Sequence, residues 1–224
     1  MYRDKASLGQ DATVVQKSKT KFREPLKWRK SKVIFTCSWS DWFIEEADAW
    51  RDEAWDVIRK TPQHTYQILT KRPERIAEHL PDYLGELKNV WLGVSVESQN
   101  QVDRIPFLQG LPCTTFVSFE PLIGEIIWED TMNFLDWCII GGESGNESGK
   151  FQYRPMEIEW AKTLIKGATE NNVKCFVKQL GTFQSKKLKL KDRHGGEISE
   201  WEKSLQIREF PEYTPAPAFE LFPM

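Results

Sequence analysis

The sequence lacks the features that mark membrane and secreted proteins. No apolar run approaches the length of about 18 residues that a membrane-spanning helix requires, so a membrane protein is excluded. Neither end shows the basic, apolar and small-residue succession of a signal peptide. We therefore expect a soluble protein that stays in the cytoplasm, where thiols are kept reduced.

Cysteine is scarce, and its spacing excludes the common metal and redox motifs. The chain has four cysteines in 224 residues, at Cys37, Cys113, Cys138 and Cys175. No two of them have the separation of a metal clip or of a dithiol redox motif. We predict free thiols, no metal site and no resident cofactor in this chain.

The chain also lacks a strong overall charge. A formal net charge of -2 gives no general attraction for nucleic acid. Lysine and arginine concentrate locally, between Lys17 and Lys32 and again from Lys186 to Arg193. Runs of charge usually face water, so we interpret both as solvated rims.

Six short apolar, β-branched runs are present, and each predicts a strand. Several are apolar at consecutive positions, which is typical of parallel strands covered by helices on both faces. The runs are Val33 to Cys37, Tyr66 to Leu69, Val90 to Val94, Thr115 to Ser118, Trp137 to Ile140 and Cys175 to Val177.

Helical periodicity separates some of these strands. Apolar residues recur at three- and four-residue steps from Glu45 to Arg59 and from Met156 to Asn172, and Pro73 marks the start of a further helix. The connections near Pro106 and from Pro121 to Asp130 have little helical signal.

Alternating strands and helices predict an α/β fold, either a barrel or an open doubly wound sheet, and of these we expect the TIM-barrel-like one. Only six strands are visible and a closed barrel needs eight, so we expect a partial barrel with an open seam. The predicted organisation is a basic N-terminal segment at 1–32, a βα-repeat core at 33–194 and a proline-rich tail at 195–224 that wraps the core. The seam would invite cover by that tail or pairing with a second copy of the chain.

Polar residues follow the predicted strands, at the ends where barrel enzymes carry their sites. Glu120 and Lys178 could form an acid–base pair or a purely structural ion pair, and with Asp41 they are our candidate catalytic residues. The mixture of charges favours an anionic or zwitterionic small molecule. The candidate substrate-binding residues are Lys71, Arg72, Ser95, Glu97, Ser118 and Gln179.

The Gly-Gly-Glu-Ser-Gly turn at Gly141 to Gly145 is the sharpest local motif. Its backbone N–H groups could cradle an anion, and Glu143 could accept from an ammonium group or a hydroxyl. We predict cofactor binding at Gly141, Gly142, Glu143, Ser144 and Gly145, with a purely structural turn as the alternative. His64 precedes its strand, where a role in stability is expected, and is left out of the site.

Together these motifs resemble a phage-associated family of unknown function, the phage gene-product thirty-seven/sixty-eight family. The likeness runs from about Pro25 to Gly181. The matching segments are Pro25 to Trp28, Ile34 to Asp41, His64 to Arg75, Val90 to Glu97, Ser118 to Leu122, Gly141 to Gly145, Tyr153 to Pro155 and Val177 to Gly181.

Members of that family are similar to radical SAM barrels, which implies an enzyme with a [4Fe-4S] cluster and S-adenosylmethionine. The family's cysteine cluster is absent here, and Met1 to Lys5 resembles the segment that follows it, so we expect a shortened chain. Gly141 to Gly145 follows the fifth visible strand, whereas the radical SAM Gly-Gly-Glu follows the second, which weakens the analogy for Glu143.

Three functional interpretations follow. The first is a radical-SAM-like barrel that lacks its cluster ligands. The second is a cluster-free barrel enzyme acting on a phosphate- or nucleotide-containing substrate. The third is a non-catalytic module that binds nucleic acid or protein through the basic segments and Trp28, Trp39 and Trp42.

Overall fold

The computed structural model describes residues 14–38, 40–149 and 152–211. The predictions that concern Trp39, the first part of the N-terminal segment and the last part of the tail lie outside these residues. In the described part, no helix is long and apolar enough to cross a membrane.

Among the described residues, six strands form one sheet in sequence order, β1-β2-β3-β4-β5-β6. All six are parallel, and the fold class is the predicted one, an α/β partial barrel. The strands are β1 (Val33–Phe35), β2 (Thr65–Thr70), β3 (Val90–Ser95), β4 (Thr114–Phe119), β5 (Trp137–Gly141) and β6 (Lys174–Gln179).

The first strand is shorter than its apolar run predicts. It ends at Phe35, and Cys37 then adopts a positive φ of 52° in the following turn. Left-handed backbone cannot continue a strand ladder, so the run of five residues gives a strand of three. β1 lies at one end of the strand order.

In the part of the chain that the structure describes, three α-helices accompany the strands. They are α1 (Asp48–Arg59), α2 (Ile158–Glu170) and α3 (Gly181–Lys187). The first two confirm the predicted helices, and each buries one apolar stripe that includes Trp55 and Ile58 in α1 and Leu164 and Ala168 in α2.

The helix predicted after Pro73 was wrong. The chain there forms two 3₁₀ turns, Pro73–Arg75 and Ala77–His79. Pro81 follows two residues after His79, and the indole N–H of Trp55 donates to the carbonyl of His79 at 3.1 Å. The last carbonyl of the segment is thus satisfied by a side chain, and the proline opposes a longer helix.

By their internal packing the described residues fall into two compact units. The first contains residues 14–93 and 110–114, and the second contains residues 94–109 and 115–211. Phe43, Trp55 and Ile68 are fully buried in the first unit, and Phe116 and Leu122 in the second. The boundary between the units falls within β3.

The outer edge of β6 is covered by a later part of the chain. Val177 N–H donates to the carbonyl of Ile207 at 2.8 Å, and Glu209 N–H donates to the carbonyl of Cys175 at 2.8 Å. Phe176 and Arg208 form an antiparallel bridge. The described part of the tail therefore satisfies backbone groups that an exposed edge would leave unpaired.

Candidate functional site

A charged pair lies at the C-terminal ends of β4 and β6. The Nζ atom of Lys178 is 2.9 Å from Oε1 and 3.1 Å from Oε2 of Glu120. The side chains are 37% and 20% exposed, respectively. Among the described residues, neither side chain has another charged or hydrogen-bonding partner. Glu120 and Lys178, called the open pair below, are therefore held together but reachable from solvent.

The local geometry explains how two residues on non-adjacent strands meet. Gly141 ends β5, the strand between them, and a Cβ atom there would lie 3.1 Å from the carboxyl carbon of Glu120. Because Gly141 has no side chain, the Glu120 side chain has space to cross β5. A larger residue would push that carboxylate aside.

A β-bulge aims Lys178 at this place. Ile140 is in register with Val177, but the next residue, Gly141, is in register with Gln179, so Lys178 is the extra residue on β6. Bulges are common beside functional sites because they redirect a side chain without ending the strand. The bulge is thus the backbone feature that presents the ammonium group of Lys178.

Arg208 stabilises the bulge through hydrogen bonds to backbone carbonyls. Its guanidinium donates to the carbonyls of Val177 at 3.3 Å, Lys178 at 3.2 Å and Gly196 at 2.9 Å. The group lies 5.4 Å from the ring centres of both Phe176 and Trp201. Burial between these rings lowers the pKa of Arg208, and Glu197 partly opposes this effect.

The Gly-Gly-Glu-Ser-Gly turn has its own internal partners. Arg154 donates to Glu143 through its backbone N–H at 2.8 Å, its Nε at 2.9 Å and its Nη2 at 2.8 Å. The Glu143 side chain is only 8% exposed. Burial alone would raise the pKa of this carboxyl, but the hydrogen bonds and charge of Arg154 outweigh it, and the pKa is lowered.

Close backbone packing explains the glycines of this turn. A Cβ on Gly142 would overlap the carbonyl oxygen of Leu180, and one on Gly181, whose φ is 81°, would lie 2.7 Å from the carbonyl carbon of Gly142. Gly145 N–H donates to the hydroxyl of Thr182 at 3.2 Å, and Ser144 is half-buried. These contacts favour the structural alternative for the turn, and cofactor binding there stays a prediction.

In the first unit, Asp41 joins the ends of β1 and β2. Its carboxylate accepts from Phe43 N–H at 2.9 Å, from the hydroxyl of Thr70 at 2.7 Å and from Lys71 N–H at 2.8 Å. Arg72 Nη1 lies 3.3 Å from the same group. The structure thus brings three predicted site residues together: Asp41, Lys71 and Arg72. The many donors give Asp41 a positioning role for these loops, and its predicted catalytic role stays untested.

The other predicted substrate-binding residues lie in the second unit. Gln179 is buried and donates to the carbonyl of Gly142 at 2.8 Å. Glu97 pairs with Arg104 at 3.1 Å. Ser95 and Ser118 are buried, and their carbonyls accept from Arg104 and from Val96 N–H. All of Lys71, Arg72, Glu120, Glu143 and Lys178 follow predicted strands, and that they converge on one cavity stays a prediction.

Sequence reasoning missed the arginines that organise these groups. Arg154 lies in the segment Tyr153 to Pro155, which carried part of the family resemblance, so an unassigned arginine there was a usable signal. Arg208 lies in a region interpreted as a tail, and nothing in its local sequence indicates that it reaches β6.

The cysteines do not provide the donor set of an iron–sulfur cluster. All four are free, with Cys37 exposed, Cys113 half-buried, and Cys138 and Cys175 buried. Cys138 and Cys175 are register partners on β5 and β6. In the described part of the chain, no three side chains of His, Cys, Asp or Glu are grouped to hold a metal ion. The donors of these residues do not fit a [4Fe-4S] cluster, which needs three or four converging thiolates.

Fold and geometry define the class of protein: an α/β partial barrel with a charged pair at the strand ends. The sequence matches the family described as Protein of unknown function (DUF5131) over residues 1–210, and the chain belongs to that family. A search of curated proteins finds no match.

Proposed function

We propose that this chain is a barrel-type enzyme that binds a small zwitterionic or phosphorylated molecule at the ends of β4 and β6. The open pair is the observation that carries the proposal. Its two charges lie 2.9 Å apart, remain partly exposed, and have only each other as side-chain partners in the described part of the chain. Charged groups at strand ends are where barrel enzymes carry their chemistry.

A ligand with two charges would replace the internal ion pair without leaving a charge unpaired. Its ammonium group would take the place of Lys178 at the Glu120 carboxylate. Its carboxylate or phosphate would take the place of Glu120 at the Lys178 ammonium group. Charge-assisted hydrogen bonds of this kind are stronger than neutral ones, and they give a zwitterion an advantage over an apolar molecule. Glu120 would then be placed to accept a proton from the ligand and Lys178 to donate one.

The resemblance to radical SAM barrels supports a narrower proposal, in which the ligand is S-adenosylmethionine. Its α-amino and carboxylate groups match the two charges of the open pair. Glu143 is the weaker candidate for the amine, because Arg154 already binds both of its carboxylate oxygens. The phage origin and the cytoplasmic location rest on the sequence alone and belong to this same proposal.

Calorimetric titration with S-adenosylmethionine, ATP and inorganic phosphate tests the proposal. Glu120→Gln should weaken S-adenosylmethionine about 10- to 100-fold and should strengthen phosphate, which competes with the Glu120 carboxylate for Lys178, while Lys178→Met should weaken all three ligands. Glu143→Gln should have little effect on any of them. The matched control is the exposed pair of Lys187 and Glu157, 3.2 Å apart in the same unit, changed to Lys187→Met and Glu157→Gln.

Three results would contradict the proposal. The wild-type chain binds none of the three probes, or the control variants lose as much affinity as the Glu120 and Lys178 variants, or Glu143→Gln alone abolishes binding. The third result would move the ammonium site to the turn after β5.

A further inference from the structure

The segment from Lys17 to Lys32 concentrates positive charge on the first unit. It contains eight lysines and arginines and one acidic residue, in a chain whose net charge is -2. Residues Lys21–Lys27 form a 3₁₀ helix, and the carbonyl of Pro25 lies 3.1 Å from Nε2 of the buried His64. The segment is therefore fixed to the unit by its backbone. Six basic residues are exposed: Lys19, Lys21, Arg23, Lys27, Arg29 and Lys30.

A groove with an aromatic wall opens within this basic surface. Its volume is about 300 Å³, and its lining residues are Lys17, Ser18, Lys19, Phe22, Arg23 and Glu53. That volume is at the lower end of small-ligand sites. The ammonium group of Lys17 lies 4.4 Å from the centre of the Phe22 ring. An aromatic ring beside several cations is the combination that proteins use to stack a base and hold its phosphates.

Some of the positive charge is already paired within the unit. Glu53 is the carboxylate of the groove, and it binds Lys17 and Arg23, with Arg23 Nη2 at 2.6 Å. Hydrogen bonds from Lys17 and Arg23 lower the pKa of Glu53, so the groove keeps one negative charge. Glu24 pairs with Lys21 at 3.0 Å.

The remaining charge is available to a partner. In the described part of the chain, no carboxylate forms an ion pair with Lys19, Lys27, Arg29 or Lys30. Lys19 lines the groove, whereas Lys27, Arg29 and Lys30 extend the positive surface beyond it, since a 3₁₀ helix of seven residues is about 14 Å long at about 2 Å per residue. A free mononucleotide would use the groove and leave the rest of this surface without a partner.

We propose that this basic surface binds single-stranded nucleic acid. One splayed base displaces the Lys17 ammonium group from the Phe22 ring and stacks there, and phosphates on either side contact Lys19, Lys27, Arg29 and Lys30. A duplex keeps its bases stacked inside the helix, so it gains only the phosphate contacts. This surface belongs to the first unit and does not depend on the open pair of the second.

Fluorescence polarisation with labelled 20-mer oligonucleotides, single-stranded DNA and RNA, tests the proposal between about 50 and 200 mM salt. We expect Kd values of about 10⁻⁴ to 10⁻⁶ M for the wild-type chain at physiological salt, rising steeply with added salt. The triple variant Lys19→Gln, Lys27→Gln, Lys30→Gln should reduce the slope of log K against log salt by about 2, because each phosphate that a lysine neutralises contributes about 0.7. Phe22→Leu should weaken binding about fivefold or more and leave that slope unchanged, because it removes stacking and no charge.

A matched triple variant on the second unit separates this surface from general charge. Lys166→Gln, Lys174→Gln, Lys203→Gln removes the same charge there, outside both basic segments, and should leave binding unchanged. Circular dichroism confirms that each variant is folded. The proposal is overturned if the wild-type chain binds no oligonucleotide, or if the two triple variants lose affinity equally. It is also overturned if duplex DNA or polyphosphate binds as tightly as the single strand. Leu26 is half-exposed on the same helix, so binding to anionic vesicles with none to the oligonucleotides would assign the surface to membranes instead.

Discussion

Asp41 and Glu120 are both acidic residues that follow a strand, and the structure gives them opposite surroundings. Asp41 is 9% exposed and accepts three hydrogen bonds from the chain, besides its contact with Arg72. Glu120 has Lys178 as its one side-chain partner in the described part of the chain, and both side chains are partly exposed. A carboxylate has about four acceptor positions. Donors of the protein itself occupy the acceptor positions of Asp41, whereas Glu120 keeps acceptor positions for a ligand.

The turn after β5 resembles Asp41 in this respect. Glu143 is bound on both oxygens by Arg154, and Gly142 is packed against the backbone of Leu180. Internally satisfied groups of this kind should govern stability, and the open pair should govern binding. The three changes that follow test this distinction in order of expected effect.

The largest effect is expected from Gly142→Ala. The added methyl group would overlap the carbonyl oxygen of Leu180, a backbone atom that cannot turn aside. We expect the free energy of unfolding to fall by at least about 3 kcal/mol, with a fall in Tm of about 6–12 °C. Thermal denaturation followed by circular dichroism measures this.

Gly141→Ala is the control one residue earlier. Its methyl group would meet the flexible side chain of Glu120 at 3.1 Å, so a loss below about 1 kcal/mol is expected, together with weaker ligand binding. Equal Tm values for the two variants would show that the close backbone contact at Gly142 does not make an added methyl group more destabilising there than at Gly141.

The next effect concerns Asp41→Asn. The substitution replaces one carboxylate oxygen by an NH₂ group. That group is a donor, and it would face the donor groups of Thr70, Lys71 or Phe43 that the oxygen now accepts from. We expect a loss of about 2–3 kcal/mol in urea denaturation. Asp52→Asn, an exposed position on α1, should change stability by less than about 0.5 kcal/mol. A similar small loss at Asp41 would argue that its carboxylate is free for chemistry after all.

The smallest stability effect is expected at the open pair. A double-mutant cycle with Glu120→Gln and Lys178→Gln should give a coupling energy below about 1 kcal/mol, because both groups reach solvent. The corresponding cycle for Glu143 and Arg154 should give a larger coupling energy, since the carboxylate is buried and bound bidentately. The reverse order would mean that the open pair is the structural one and that the proposed site is misplaced.

The sequence predicted the secondary structure best where packing is uniform. Consecutive apolar residues in β3 and β4 face buried surroundings on both sides, so their runs correspond closely to the strands. It failed where local signals compete. The connection near Pro106 is a ten-residue 3₁₀ helix, Gln99–Leu108, whose start is capped by Ser98 and Gln101. The helix α3 was missed because it begins at Gly181, a residue with positive φ that looks like part of a loop.

By itself, the sequence determined where the six strands lie along the chain and which polar residues follow each strand. These features depend on residue type and spacing along the chain, which hydrophobic burial and the parallel sheet convert directly into position. Only the tertiary structure decided which carboxylates have their hydrogen-bond acceptor positions occupied by the protein itself. Lys178 is 58 residues from Glu120 along the chain, and the two side chains come together because of the bulge at Lys178, the glycine at Gly141 and the hydrogen bonds of Arg208. Glu143, in contrast, already has its carboxylate oxygens bound by Arg154. Hydrogen-bond capacity is settled by atoms brought together in space, so the difference between a structural carboxylate and an open one appears only in the fold.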